Sequence, residues 1–183
     1  MPQQSEGRMR GFQLWLNLPG KEKMKPAAYR DIASREIPVV QKENVKIKVI
    51  AGRLEDITGP IAGGSTDPYY WDVHLEANAT FEGALPAGHN AFVYVYDGQA
   101  RVGEKGAELP NRAAGVLAGG SSIRISSKAG ARVLVLAGKP IGEPIVQYGP
   151  FVMNSREEIE QAIADYQSGR FSRERIGRID LAR

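Results

Sequence analysis

Between Val45 and Ala137 the chain repeats one pattern, a short run with strand periodicity followed by a Gly- or Pro-containing turn. Val45-Lys-Ile-Lys-Val-Ile50 alternates apolar residues with lysine, which is the period of a strand buried on one face. Tyr69 to Glu76, Ala91 to Tyr96, Gln99 to Val102, Ala114 to Leu117 and Ser122 to Ser126 have the same character. Phe81 to Leu85 is too short to assign. Arg132-Val-Leu-Val-Leu-Ala137 is apolar at successive positions, which predicts a strand covered on both faces. Strands at roughly 8–12-residue spacing with such turns predict a sandwich or barrel. The Pro86-Ala-Gly-His-Asn90 and Asp97-Gly98 punctuation suits the jelly-roll type. Asp97-Gly98 also predicts a two-residue hairpin, because both central positions favour positive φ. A second turn is expected at Gly103-Glu-Lys-Gly106.

The N-terminal part is different. Phe12, Leu14, Leu16 and Leu18 alternate with Gln13, Trp15 and Asn17, predicting a strand with one apolar face. Met1 to Arg10 is polar and offers it no partner. The strand is therefore expected to fold onto later parts of the chain or to form a dimer contact, since an uncovered apolar edge invites pairing. Pro19-Gly20 stops it, and Pro26 is placed to open a short helix running through Tyr29 and Ile32. Residues 33–44 read as a linker, and Gly52 to Asp67 as a long irregular loop. A single longer helix is expected from Ser155 to Ser168. Ser155 and Glu158 form a capping box, and Gly169 suits the C-terminal stop. Ile159, Ile163 and Tyr166 are its expected buried stripe.

The 183 residues suffice for one domain with a core and appendages. With no cysteine there is no disulfide, thiolate ligand or cysteine nucleophile, and the chain suits a reducing compartment. No apolar run reaches the roughly 20 residues of a membrane span, and no signal pattern opens the chain. A cytoplasmic protein is the expectation. The net charge of +3 sits at the ends: residues 1–30 carry six Lys/Arg against two acids, and residues 170–183 carry five against two. Without aromatics interleaved on a basic face, nucleic-acid binding ranks last among the functions considered.

Catalytic signals are sparse. A first-row metal site needs three or four converging His or carboxylate ligands, and the chain has only His74 and His89. Asp72, His74 and Glu76 share one polar face of a strand, but i and i+2 side chains start about 6–7 Å apart. His74, Glu76 and His89 are the candidate ligands, weighed against two ordinary surface histidines. Ser121, Ser122, Ser126 and Ser127 cluster without a Gly-x-Ser-x-Gly elbow, and Gly115 to Gly120 lacks the P-loop ending. Tyr70, Trp71, Phe92, Tyr94 and Tyr96 could line a barrel mouth, although packing is the commoner use of such residues. No catalytic or cofactor-binding residue is assigned.

Two signatures carry a resemblance. Gly11-Phe-Gln-Leu-Trp-Leu-Asn-Leu-Pro19, with Lys23-Met-Lys-Pro26 and Tyr29-Arg-Asp-Ile32, resembles the hallmark segment of the pirin family. Gly138-Lys-Pro-Ile-Gly-Glu-Pro-Ile-Val-Gln-Tyr-Gly-Pro-Phe-Val-Met-Asn154 resembles the family's C-terminal motif. The resemblance covers residues 5 to 171 and matches the back half of a pirin. It implies an all-β, cupin-type jelly-roll barrel, the second of a tandem pair, with an N-terminal strand and short-helix arm and one C-terminal α-helix. The implied divisions are a remnant of the first barrel plus linker (1–44), the second barrel (45–154), the helix (155–171) and a basic tail (172–183).

In the family, iron is held in the first barrel by three histidines and a glutamate, and none of these is matched here. In the cupin pattern, setting Gly98 at the first motif's terminal Gly puts Ala91 near the position of the metal-binding Glu. No His lies between Gly115 and Gly130. The barrel is thus expected to hold no metal or other cofactor. The resemblance implies a binding or regulatory module with a protein partner, or a homodimer formed through the Phe12–Leu18 strand. The alternative it implies is part of an iron-dependent dioxygenase of the quercetin 2,3-dioxygenase type, with the ligands upstream of Met1.

Overall fold

The computed structural model describes residues 10–61 and 63–170, and the backbone of 177–178. Most of the expected basic tail lies outside them. Helix α1 spans Gly20–Lys23, and strand β1 spans Ala28–Tyr29. Next come β2 (Val39–Lys42), β3 (Val45–Ala51), β4 (Arg53–Leu54) and β5 (Ile57–Thr58). They are followed by β6 (Tyr69–Leu75), β7 (Ala79–Ala84), β8 (Asn90–Gly98) and β9 (Ala100–Val102). Then come β10 (Ala107–Leu109), β11 (Ala113–Val116), β12 (Ser122–Ser127) and β13 (Ala131–Gly138). The chain closes with β14 (Val146–Tyr148), β15 (Phe151–Met153), α2 (Arg156–Gln167) and β16 (Gly177–Arg178).

Two antiparallel sheets make the barrel. One has the order β11-β8-β13-β6-β3-β2, and the other β10-β9-β12-β7. The inward residues of each strand fill the space between them: Val45, Ile47 and Val49 from β3, Trp71 and Val73 from β6, and Val93 and Val95 from β8. Phe81, Ile125, Val133 and Val135 complete the centre. Trp71 and Phe81 meet edge to face with ring centroids 6.0 Å apart, the arrangement aromatic quadrupoles favour. The alternation read in Val45–Ile50 holds, with Lys46 and Lys48 turned outward. This is the all-β jelly roll that the spacing and turns of the runs predict, and the cupin-type barrel that the resemblance implies.

Several local expectations give way to tertiary context. Phe12–Leu18 forms no strand. Among the described residues, it joins the barrel by side chains rather than by backbone pairing. The short helix opens after Pro19 instead of at Pro26, because the Pro19 carbonyl accepts the Glu22 N–H at 2.8 Å and the Glu143 carboxylate accepts the Gly20 N–H at 2.7 Å. Ala28–Tyr29 pairs in parallel with Gly177–Arg178. The expected linker contains β2, hydrogen-bonded along β3. The expected loop after Gly52 contains the β4–β5 hairpin.

Asp97-Gly98 is not a hairpin. It is the corner at which the chain leaves one sheet for the other, since β8 pairs with β11 and β13 whereas β9 pairs with β10 and β12. Gly103–Gly106 is the hairpin, joining β9 to β10. Helix α2 is capped as predicted: the Ser155 hydroxyl accepts the Glu158 N–H at 3.2 Å, and Glu158 accepts the Ser155 N–H at 3.1 Å. Its buried residues are Ile159 and Ala162. Tyr166 is exposed and only edges against Phe151.

The two signatures, distant in sequence, meet in space. Glu143 accepts hydrogen bonds from the Gly20 N–H and from Asn154 Nδ2, the latter at 2.8 Å. A Cβ at position 20 would fall 2.8 Å from Asn154 Oδ1, so glycine is what lets the arm sit against the C-terminal segment.

At the sheet corner Gly98 has φ +73°, and a Cβ there would lie 2.3 Å from the Gly130 carbonyl oxygen. Gly106 has φ +63° but open surroundings. Gly98→Ala is expected to lose about 3 kcal/mol, from strain plus overlap, and Gly106→Ala about 1 kcal/mol, from strain alone. Urea denaturation of the two variants measures the difference.

Candidate functional site

The outward residues of the six-stranded sheet carry its concentrated chemistry. Asp72 and His74 project from β6, Tyr96 from β8 and Lys48 from β3. Pairing sets Lys48 beside Asp72 and Arg132 beside His74. The Tyr96 hydroxyl donates to Asp72 Oδ1 at 2.7 Å. His74 Nε2 lies 3.0 Å from both Asp72 oxygens and 3.0 Å from the Tyr96 oxygen. Lys48 Nζ stands 3.5 Å from Asp72 Oδ2. A carboxylate only accepts, so His74 Nε2 bears the proton it shares with Asp72.

Burial pushes the Asp72 carboxyl up. The hydrogen bonds from His74 and Tyr96 and the nearby Lys48 charge outweigh it, and the group is held below its ordinary value. Burial, then the hydrogen bond to Asp72, pushes the Tyr96 hydroxyl well above its ordinary value. Tyr70 beside them is raised by burial and by the Asp72 charge. A tyrosine held this firmly neutral is a hydrogen-bond donor, not a base or a nucleophile.

The structure therefore brings Asp72 and His74 together but leaves out Glu76, which lies exposed beyond β6, and His89. The side chains of Asp72 and His74 lean towards each other, although they start two residues apart on one strand. Neither histidine is an ordinary surface residue. The His74 side chain is about one-quarter exposed. That of His89 is 7% exposed, beside Asp67 and edge-on to Tyr69. Among the described residues, no three His, Cys, Asp or Glu side chains are placed to share a metal ion. The barrel axis holds Trp71, Phe81 and valines rather than ligating groups. The described residues do not fit an iron site of the kind the family carries in its first barrel.

Tyr96 is the member that sequence reading placed only at a barrel mouth. Its signal was the alternation Phe92, Tyr94, Tyr96, which puts three aromatics on the outward face. Trp71, which the sequence groups with them, is instead wholly buried.

A second feature is apolar. The arm residues Leu14, Trp15 and Leu16 face Phe92, Val116 and Ile145 across an open groove of about 740 Å³. All six side chains are substantially exposed, an unusual concentration for a lone soluble surface. The arm is held at one end by Phe12, whose ring packs 5.1 Å from Tyr96 and 6.1 Å from Tyr94, and at the other by the Glu143 contacts.

The Pirin C-terminal cupin domain matches residues 70–172, more than half of the chain. A Pseudomonas aeruginosa protein provisionally named quercetin 2,3-dioxygenase is 50% identical over 175 residues, covering 92% of this chain and 61% of that protein. A pirin-like protein of Caulobacter vibrioides is 45% identical, covering 93% and 62%. The crystal structure of a quercetin 2,3-dioxygenase from Acinetobacter baumannii superposes with a TM-score of 0.79 at 33% identity, covering 86% of this chain and 55% of that one. The chain thus spans about three-fifths of the length of the curated relatives it matches. No helix among the described residues is long and apolar enough to cross a membrane.

The Asp72 network gives a pH signature. The depressed carboxyl contributes stability above its unfolded pKa of about 4, and that contribution is lost as pH falls through the folded value. The raised Tyr96 hydroxyl contributes stability below about pH 10, and this is lost as pH rises further. Asp72→Asn is expected to flatten the acid limb of a plot of denaturation midpoint against pH. Tyr96→Phe is expected to flatten the alkaline limb and to lose about 1.5 kcal/mol at neutral pH.

Proposed function

The chain belongs to the pirin family of cupin proteins, and from that premise we propose that its barrel is a metal-free binding and regulatory module. One observation carries this reading. The centre of the barrel, where a cupin would work on a bound molecule, is filled by Trp71, Phe81, Val93, Val95, Ile125, Val133 and Val135, each at most 1% exposed. Nothing can enter without unpacking the core, because protein interiors are packed to near-crystal density. The outside is what remains available. The groove between the arm and Phe92, Val116 and Ile145 offers a contiguous apolar surface of the kind that docks a protein partner or a second copy of the chain. The reading keeps the cytoplasm as the working compartment, since a chain without cysteine needs no oxidising one.

Similarity to proteins named quercetin 2,3-dioxygenase favours a second reading. There the chain forms part of a dioxygenase whose iron is held by ligands other than the residues described here, and the barrel supports the reacting half.

One preparation tests both. The purified chain is loaded anaerobically with ferrous iron and desalted, then assayed for iron by elemental analysis and for oxygen uptake with quercetin. The binding reading expects substoichiometric iron and no uptake above buffer. One iron per chain together with turnover would replace it with the second. Light scattering addresses the groove: the wild-type chain is expected to self-associate, and Leu14→Asp with Leu16→Asp to be monomeric. A monomeric wild-type chain would assign the groove to a different protein.

A further inference from the structure

Below the arm, the outer face of the six-stranded sheet holds a cavity of about 500 Å³, separate from the apolar groove. Its floor is Leu134 and Ile50, and Phe12, Tyr70 and Tyr96 stand around it. Three cations line it, Arg10, Lys48 and Arg132, against one lining carboxylate, Asp72. Lys48 is matched by Asp72, and Arg10 by Asp97 outside the lining, at 3.2 Å. Asp72 is already saturated by His74 and Tyr96. The Arg132 guanidinium makes no ion pair or hydrogen bond among the described residues; Asp97, opposite it in the β13–β8 pairing, is taken by Arg10. Arg132 is exposed, yet close enough for its charge to act on Tyr96.

The cavity therefore has aromatic walls and one guanidinium without a counter-ion. A guanidinium presents a planar fork that matches a carboxylate with two parallel hydrogen bonds. An aromatic ring placed beside Phe12 and Tyr96 meets them in edge or offset geometry, and the volume is that of a small-molecule pocket. We propose that this cavity binds a small aromatic carboxylate, its carboxylate on Arg132 and its ring against Phe12 and Tyr96. The Asp72–His74–Tyr96 network positions the Tyr96 ring and, with Lys48 balancing Asp72, leaves the ligand's charge to Arg132. This goes beyond the proposed function, since the site shares no lining residue with the groove and needs no partner protein.

The test is a calorimetric titration of the full chain with benzoate, and with benzamide as its uncharged counterpart. Saturable benzoate binding at one site is expected, with no binding of benzamide. Arg132→Gln is expected to weaken benzoate at least about ten-fold, consistent with loss of a charge-assisted bidentate pair. Arg132→Lys, which keeps the charge but not the fork, should fall between the two. Phe12→Leu, which keeps an apolar anchor for the arm but removes the ring, should weaken benzoate. No saturable benzoate binding overturns the proposal. So does benzamide binding as tightly as benzoate, or an Arg132→Gln chain that binds benzoate as tightly as the wild type.

Discussion

Strand β13 is buried on both faces, and the rest of the molecule answers to that. Val133 and Val135 point into the barrel and are wholly buried, while Leu134 and Leu136 point outward and are still only 5% exposed. β13 lies between β8 and β6 in the middle of the larger sheet. Its inner residues define the packed axis. Its outer residues need a cover, because each leucine left in water would forgo roughly 2 kcal/mol of burial. The N-terminal arm is part of that cover: Phe12 borders the same cavity as Leu134, and Leu14 and Leu16 border the same groove as Leu136.

The arm achieves this without becoming a strand. Its side chains dock on the outer face, and its far end is held where Glu143 joins Gly20 to Asn154. Two motifs more than a hundred residues apart therefore act as one structural unit. That mode of attachment leaves Trp15 and its neighbours open to solvent, which is why the molecule has an apolar groove at all. Had the arm paired edge to edge, its apolar side chains would have been committed to a sheet face.

Polar chemistry follows the same division between inside and outside. The axis is apolar, so ionisable groups gather on the outer face, where partial burial makes their hydrogen bonds count. Asp72 stays ionised and Tyr96 neutral because each satisfies the other, with His74 and Lys48 completing the set. The arrangement is suited to holding aromatic walls and charges in place rather than to proton transfer at a metal.

Much of this was legible in the order of residues. The alternation in Val45–Ile50, the continuous apolar run at Arg132–Ala137 and the Ser155–Glu158 capping box each encode a local outcome, because pleat, double burial and helix capping depend on near neighbours in sequence. What they could not encode was relation across distance. Asp97-Gly98 has the residues of a hairpin but serves as a corner between sheets, a choice made by the pairing partners of β8 and β9. Phe12–Leu18 has the period of a strand but docks by its side chains on the outer face of the larger sheet instead of pairing at an edge. Tyr96 and His74 share Asp72 only because β13 sets their two strands on either side of itself. Sequence by itself determined most of the barrel strands and helix α2, through periodicity and capping. Tertiary structure alone decided which outward side chains meet, because register between strands is a property of the assembled sheet.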